Sequence, residues 1–189
     1  MNSNFMVDLE TLGTGPDAAI LSIGAVRFDT VNPDDGSLTQ GFYQNVSLES
    51  ALESGATVDA STIEWWFKQS NEARSALFEG AVSLYEALER FTDWLRSQSG
   101  GRTIHIWGNG ATFDNVLLTR AYERVGLRRP WSYRSDRCYR TLAALFPRVP
   151  ADEVEGSHTK RHNALYDALH QAEHAQKILA IMGSSEGWR

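Results

Sequence analysis

Apolar and polar residues alternate over three stretches near the start of the chain, and a period of two predicts strands. Residues 5–10 place Phe5, Val7 and Leu9 on one face and Met6, Asp8 and Glu10 on the other. Gly13, Gly15 and Pro16 interrupt this strand with turn chemistry. Residues 19–28, rich in Ile, Leu and Val, resume as a second strand, so the pair predicts an antiparallel hairpin. A polar turn over residues 32–36 leads to a third strand at 41–46.

The period then changes to that of helices. Ser61 with Glu64 reads as a capping box ahead of Trp65, Trp66 and Phe67, and Ser83 with Glu86 reads as another. From the second box, Leu84, Leu88, Phe91 and Leu95 recur at helical spacing and predict one buried stripe, ended by Gly100 and Gly101. A short apolar strand at 103–107 runs into Gly108-Asn109-Gly110. A helix over 113–125 follows, with Gly126 as its stop. Residues 131–136 read as a fifth strand, and 147–161, with two prolines, a glycine and many charges, as a mobile loop. Asn163 caps a long last helix through Met182, which carries Ala164, Ala168, Ala172, Ala175 and Leu179 near one face. This order predicts an α/β fold with a mixed five-stranded sheet, its first three strands antiparallel, flanked by helices. It predicts a single domain over residues 1–183 and a flexible tail at 184–189.

Composition narrows the picture modestly. The 189 residues suffice for one domain with a real core. No apolar run is long enough to span a bilayer, and the first residues lack the pattern of a signal peptide. One cysteine, Cys138, excludes an internal disulfide framework and fits the cytoplasm. A net charge of −6 sits poorly with phosphate binding. Arginines do gather between Arg120 and Arg140, however, and two divalent cations would bring the loaded protein to −2.

Those cations are suggested by four acids. Asp8 and Glu10 share the face of an apolar strand, where two carboxylates repel each other. Asp114 follows a strand and a glycine-flanked turn, in the first turn of a helix. Asp167 lies one turn into the last helix, five residues after His162. Taken singly, each has a bland reading as a solvated acid or a favourable helix start, and His162 as a loop histidine without a task. Together they offer oxygen ligands for hard cations such as Mg²⁺ or Mn²⁺. Two such ions, roughly 4 Å apart, can clamp the attacking and leaving oxygens of phosphodiester hydrolysis. A histidine can accept the water's proton near neutral pH.

The acids also fall into three ordered motifs. Asp8-Leu9-Glu10-Thr11-Leu12-Gly13, Asn109-Gly110-Ala111-Thr112-Phe113-Asp114 and His162-Asn163-Ala164-Leu165-Tyr166-Asp167 resemble those of the DEDDh exonucleases of the ribonuclease-H-like fold. Leu12-Gly13-Thr14, Trp65-Trp66 and Trp107-Gly108-Asn109-Gly110 are similar to a small stand-alone bacterial and phage branch named for 3′–5′ exoribonuclease activity. The resemblance implies that Asp8, Glu10, Asp114 and Asp167 hold two divalent cations and that His162 is the general base. It further implies that Thr11, Leu12 and Phe113 contact the terminal nucleotide of a single strand, RNA ahead of DNA. It also implies a homodimer, for which the alanine-lined last helix offers a surface.

Other features receive structural readings. Of Trp65 and Trp66, adjacent on a helix, one can face a substrate base while the other packs in the core; Gln69 is a weaker candidate contact. His170 and His174 have the spacing of some zinc sites but lack further ligands, and read as surface or subunit-interface histidines. Cys138 reads as an idle thiol. The arginines from Arg120 to Arg140 could track a phosphate backbone or simply solvate a face. The competing functions are a single-stranded DNA exonuclease, a catalytically silent binding module and a phosphoesterase for small phosphates.

Overall fold

The computed structural model describes residues 2–29, 38, 41–152 and 162–183. β1 (Asn2–Thr11) runs longer than its alternating pattern predicts, because both of its faces are covered. Phe5, Val7 and Leu9 enter one core, whereas Met6 enters a second on the opposite face of the sheet. β2 (Ile20–Phe28) pairs antiparallel with β1, and β3 (Gly41–Asn45) antiparallel with β2. β4 (Thr103–Gly108) and β5 (Asp136–Cys138) complete a parallel half, giving the order β3-β2-β1-β4-β5. The mixed five-stranded sheet with an antiparallel first half is therefore present.

Helices cover both faces. α1 (Leu48–Glu53), α2 (Ala60–Phe67) and α3 (Asn71–Ala76) fill the connection after β3. α4 (Leu84–Ser99) buries the predicted stripe of Leu84, Leu88, Phe91 and Leu95. α5 (Asp114–Arg124) packs into the same core through Leu117, Leu118, Ala121 and Tyr122. On the other face lie α6 (Tyr139–Leu145) and α7 (Ala164–Gly183). Ala168, Ala172 and Ala175 of α7 are fully buried with Met6, Val26 and Phe28. That contact corrects one expectation: the alanine face lies on the sheet of its own chain and is not free to pair two copies.

Two further expectations change. The fifth strand begins at Asp136, not at residue 131, because the segment before it is a turn. Tyr133–Ser135 form a 3₁₀ turn, and the Trp131 indole and the Asn115 amide both donate to Asp136 Oδ1 at 3.0 Å. The Ser61–Glu64 box does not form, since α2 starts two residues earlier, with Asp59 at its N-cap. The Asp59 side chain does not cap its own helix but accepts from the Thr14 N–H at 2.9 Å. At Ser83 the serine half of the box forms, its hydroxyl accepting from the Glu86 N–H at 3.2 Å, while the Glu86 carboxylate accepts from Arg90 at 2.6 Å. The predicted loop is described only as far as Asp152, and the tail at 184–189, like residues 153–161, lies outside the described residues. No helix among the described residues is long and apolar enough to cross a membrane.

Candidate active site

Even-numbered residues of β1 face α7, which places Asp8 and Glu10 beneath the first turns of that helix. The helix can come this close because β2 has Gly24 in register with Asp8. A Cβ at Gly24 would collide with the backbone of Ala164 and Leu165. The Asn163 side chain caps α7 by accepting from the Leu165 N–H at 3.1 Å, and Asp167 follows in the first turn. Carboxylate oxygens of Asp8, Glu10 and Asp167 lie within 4.8 Å of one another.

Asp114 approaches from the other half of the sheet. The turn after β4 closes through the Phe113 N–H donating to the Gly110 carbonyl at 2.7 Å, and α5 opens on Asp114. Gly108 makes room: a Cβ there would stand 2.5 Å from Asn115 Oδ1 and 2.8 Å from Asp114 Cβ. The backbone at Asn109 and Leu9 lies beside the Asp114 carboxylate, next to the strand that carries Asp8 and Glu10.

The electrostatics of this pocket are severe. Glu10 is 8% exposed and Asp114 2%. Burial, then the charges of Asp167 and Asp114, push Glu10 up to about 8. Burial raises Asp114 to about 7, against backbone hydrogen bonds and the charge of Arg140. Asp8 is held well above the usual carboxylate range by burial and by the charges of Asp114 and Glu10, although Gln171 opposes this. One oxygen each of Glu10 and Asp114 is buried with no hydrogen-bond partner. Hard oxygen donors, crowded and partly orphaned in a desolvated space, fit divalent cations well. Gln171, whose Nε2 donates to Asp8 Oδ1 at 2.8 Å, was missed by sequence reasoning. Its signal was its position one helical turn after Asp167.

Around the acids, the expected substrate contacts vary in exposure. Thr11 directs its hydroxyl to the Gly13 carbonyl at 2.8 Å, and its own carbonyl accepts from the Trp66 indole at 2.9 Å. Leu12 is 9% exposed and packs mainly into the core, offering less apolar surface than expected, while Phe113 is half-buried. His162 has a left-handed backbone, φ 66°, and its ring meets Trp65 edge-on at 4.7 Å and 87°. The two tryptophans divide as expected: Trp66 is 5% exposed in the core, whereas Trp65 is 40% exposed beside His162. Gln69 donates to the Trp65 carbonyl.

The remaining candidates are structural, with one correction. His174 is buried rather than at the surface. Its Nε2–H donates to the Val149 carbonyl at 2.8 Å, leaving Nδ1 to accept from the Tyr139 hydroxyl at 2.7 Å. His170 donates to the Asp152 carbonyl at 2.7 Å. The arginines separate by role. Arg120 and Arg124 bind Asp17, Arg129 binds Thr119 and Asp136, and Arg137 donates to backbone carbonyls. Arg140 alone of these turns towards the acid pocket, donating to Asn109. Cys138 is a free thiol of intermediate exposure.

Known proteins share this fold. The nuclease domain of 3′hExo, a DEDDh family member solved bound to rAMP, superposes with a TM-score of 0.59 at 16% identity, over 97% of this chain and 94% of that one. Exonuclease I superposes with a TM-score of 0.60 at 16% identity, over 96% of this chain and 41% of that one. An exodeoxyribonuclease of Enterobacteria phage T4 is 30% identical over 123 residues, 61% of this chain. The match covers 53% of that protein, so the chain spans about half the length of this curated relative. Residues 3–179 match the model of the 3′–5′ exoribonuclease Rv2179c-like domain. With the three acidic motifs in order on a ribonuclease-H-like sheet, the chain belongs to that family, within the DEDDh 3′–5′ exonucleases.

Proposed function

We propose that the protein hydrolyses phosphodiester bonds one at a time from the 3′ end of a single nucleic-acid strand. The observation that carries this reading is the cluster of Asp8, Glu10 and Asp167, with Asp114 close enough to repel Asp8 and Glu10, buried oxygens of Glu10 and Asp114 left without a partner, and a half-buried His162 just before the helix that carries Asp167. In this reading the four carboxylates hold two divalent cations, Mg²⁺ or Mn²⁺. Such cations supply Lewis-acid stabilisation of the charge that gathers on the phosphate. The chain's own residues do the rest. His162 takes the proton of the attacking water on an imidazole nitrogen, and Trp65 keeps the ring edge-on to its face. Thr11 reaches the terminal sugar, while Phe113 and the exposed rim of Leu12 meet the terminal base. A catalytically silent binding module fits less well, because burying Glu10 and Asp114 beside two further carboxylates without neutralising them is unfavourable.

RNA is the favoured substrate, in keeping with the exoribonuclease name of the family. DNA is the second reading, favoured by the phage exodeoxyribonuclease that is 30% identical. The test is a time course on 5′-labelled RNA, DNA and a blunt duplex of one sequence, with Mg²⁺ and with chelator. The reading expects a ladder from single strands with Mg²⁺ only. Faster loss of the duplex would contradict it, and faster loss of DNA than RNA would reverse the sugar preference alone.

A further inference from the structure

Arg140 is in the first turn of α6, which starts at the edge of the sheet that carries the acid pocket. It reaches this edge because β5 runs parallel to β4, with Cys138 in register with Gly108. Arg140 Nη2 donates to the Asn109 carbonyl at 2.7 Å. Its Cζ, Nη1 and Nη2 lie 3.6, 3.7 and 3.7 Å from where a Gly110 side chain would begin, so the guanidinium plane lies flat over that glycine. Gly110 itself, at φ 125°, has a backbone that other residues rarely adopt. The cation is therefore seated against this turn before any ligand arrives.

Its surroundings point to an anion. The positive charge reaches the Asp114 carboxylate, which lies buried at the floor of the pocket, yet Arg140 itself is exposed at the mouth. Among the described residues it forms no ion pair, and one hydrogen bond leaves most of its five N–H donors open. A rigid planar fork of this kind binds phosphate oxygens in pairs. With the scissile phosphate at the floor, the phosphate at the mouth is the next one along the strand. We propose that Arg140 forms a phosphate subsite for the linkage immediately upstream of the scissile bond, so that the protein grips strands of three or more nucleotides better than dinucleotides. The proposal rests on the exonuclease reading.

The experiment compares a trinucleotide with a dinucleotide lacking a 5′-phosphate, whose single linkage is the scissile one. Arg140→Ala should raise KM for the trinucleotide about tenfold, leave kcat within about twofold, and leave the dinucleotide unchanged. A neutral methylphosphonate at the upstream linkage should impair the wild-type protein equally and add nothing to Arg140→Ala. Equal losses on both substrates, additive losses, or an unchanged trinucleotide KM would each overturn the subsite. Fluorescence anisotropy of the labelled trinucleotide and its methylphosphonate form gives the same contrast as binding constants, without turnover. Contrast without cleavage would count against the proposed activity alone, and cleavage without contrast against the subsite alone.

Discussion

His162 combines two constraints that are seldom found together, a left-handed backbone in a residue with a Cβ and an aromatic face against one side of its ring. Both restrict where its nitrogens can point, as a general base requires. His162→Ala should lower kcat by roughly 10²–10⁴-fold while single-strand binding survives, as measured by single-turnover cleavage alongside anisotropy. His158 stands four residues earlier in the sequence, and a similar loss in His158→Ala, with His162→Ala active, would assign the base to it instead. Glu10 allows a second test at this scale. Its folded pKa of about 8 lies above the ordinary value of 4.5. The metal-free fold therefore prefers it protonated, and the stability this gives is fully present below pH 4.5 and gone above about pH 8. Glu10→Gln should raise the metal-free melting temperature at pH 8 by roughly 5 °C or more and change it little at pH 4.5. Equal effects at the two pH values would show that the carboxyl is not strained.

At the scale of elements, the site depends on how closely α7 lies on β2. Gly24→Ala forces backbone against backbone at Ala164, and neither side can yield without moving Asp167. The expected cost is roughly 3 kcal/mol or more, seen as a melting temperature lower by roughly 6–12 °C. Mg²⁺ affinity, measured by calorimetry, should fall with it. A variant with unchanged melting and metal binding would disprove the close approach. This dependence also explains what the sequence could reveal. The acids were legible because strand alternation and helix starts are local, and the motif spacing then assigned them one role. The partners that tune them were not. Gln171 reaches Asp8 across 163 residues, Trp65 reaches His162 across the sheet edge, and Arg140 looked like one of many arginines. The misplaced fifth strand failed for a related reason, since the side chains of Trp131 and Asn115 fix Asp136 through contacts that no local pattern shows.

For the molecule as a whole, four carboxylates in one pocket make metal and pH two sides of one equilibrium. Burial raises Glu10 to about 8 and Asp114 to about 7, so without metal the fold loses stability as pH rises towards 8. In the proposed metal-bound state, cations hold the deprotonated form and would reverse this loss. Thermal melts with 5 mM Mg²⁺ and with chelator should therefore diverge more at pH 8 than at pH 6. Identical divergence at the two pH values would mean that the acids do not bind the metal together.

The acids are also far apart in time. β1 brings Asp8 and Glu10 out of the ribosome first, and Asp167 follows 159 residues later. At roughly 5–20 residues per second, that interval is about 8–30 s. Throughout it, the emerging chain carries two of the four acids but no pocket to gather them. Only when the last helix settles on Gly24 is the fourth carboxylate delivered, so the pocket is completed at the end of synthesis.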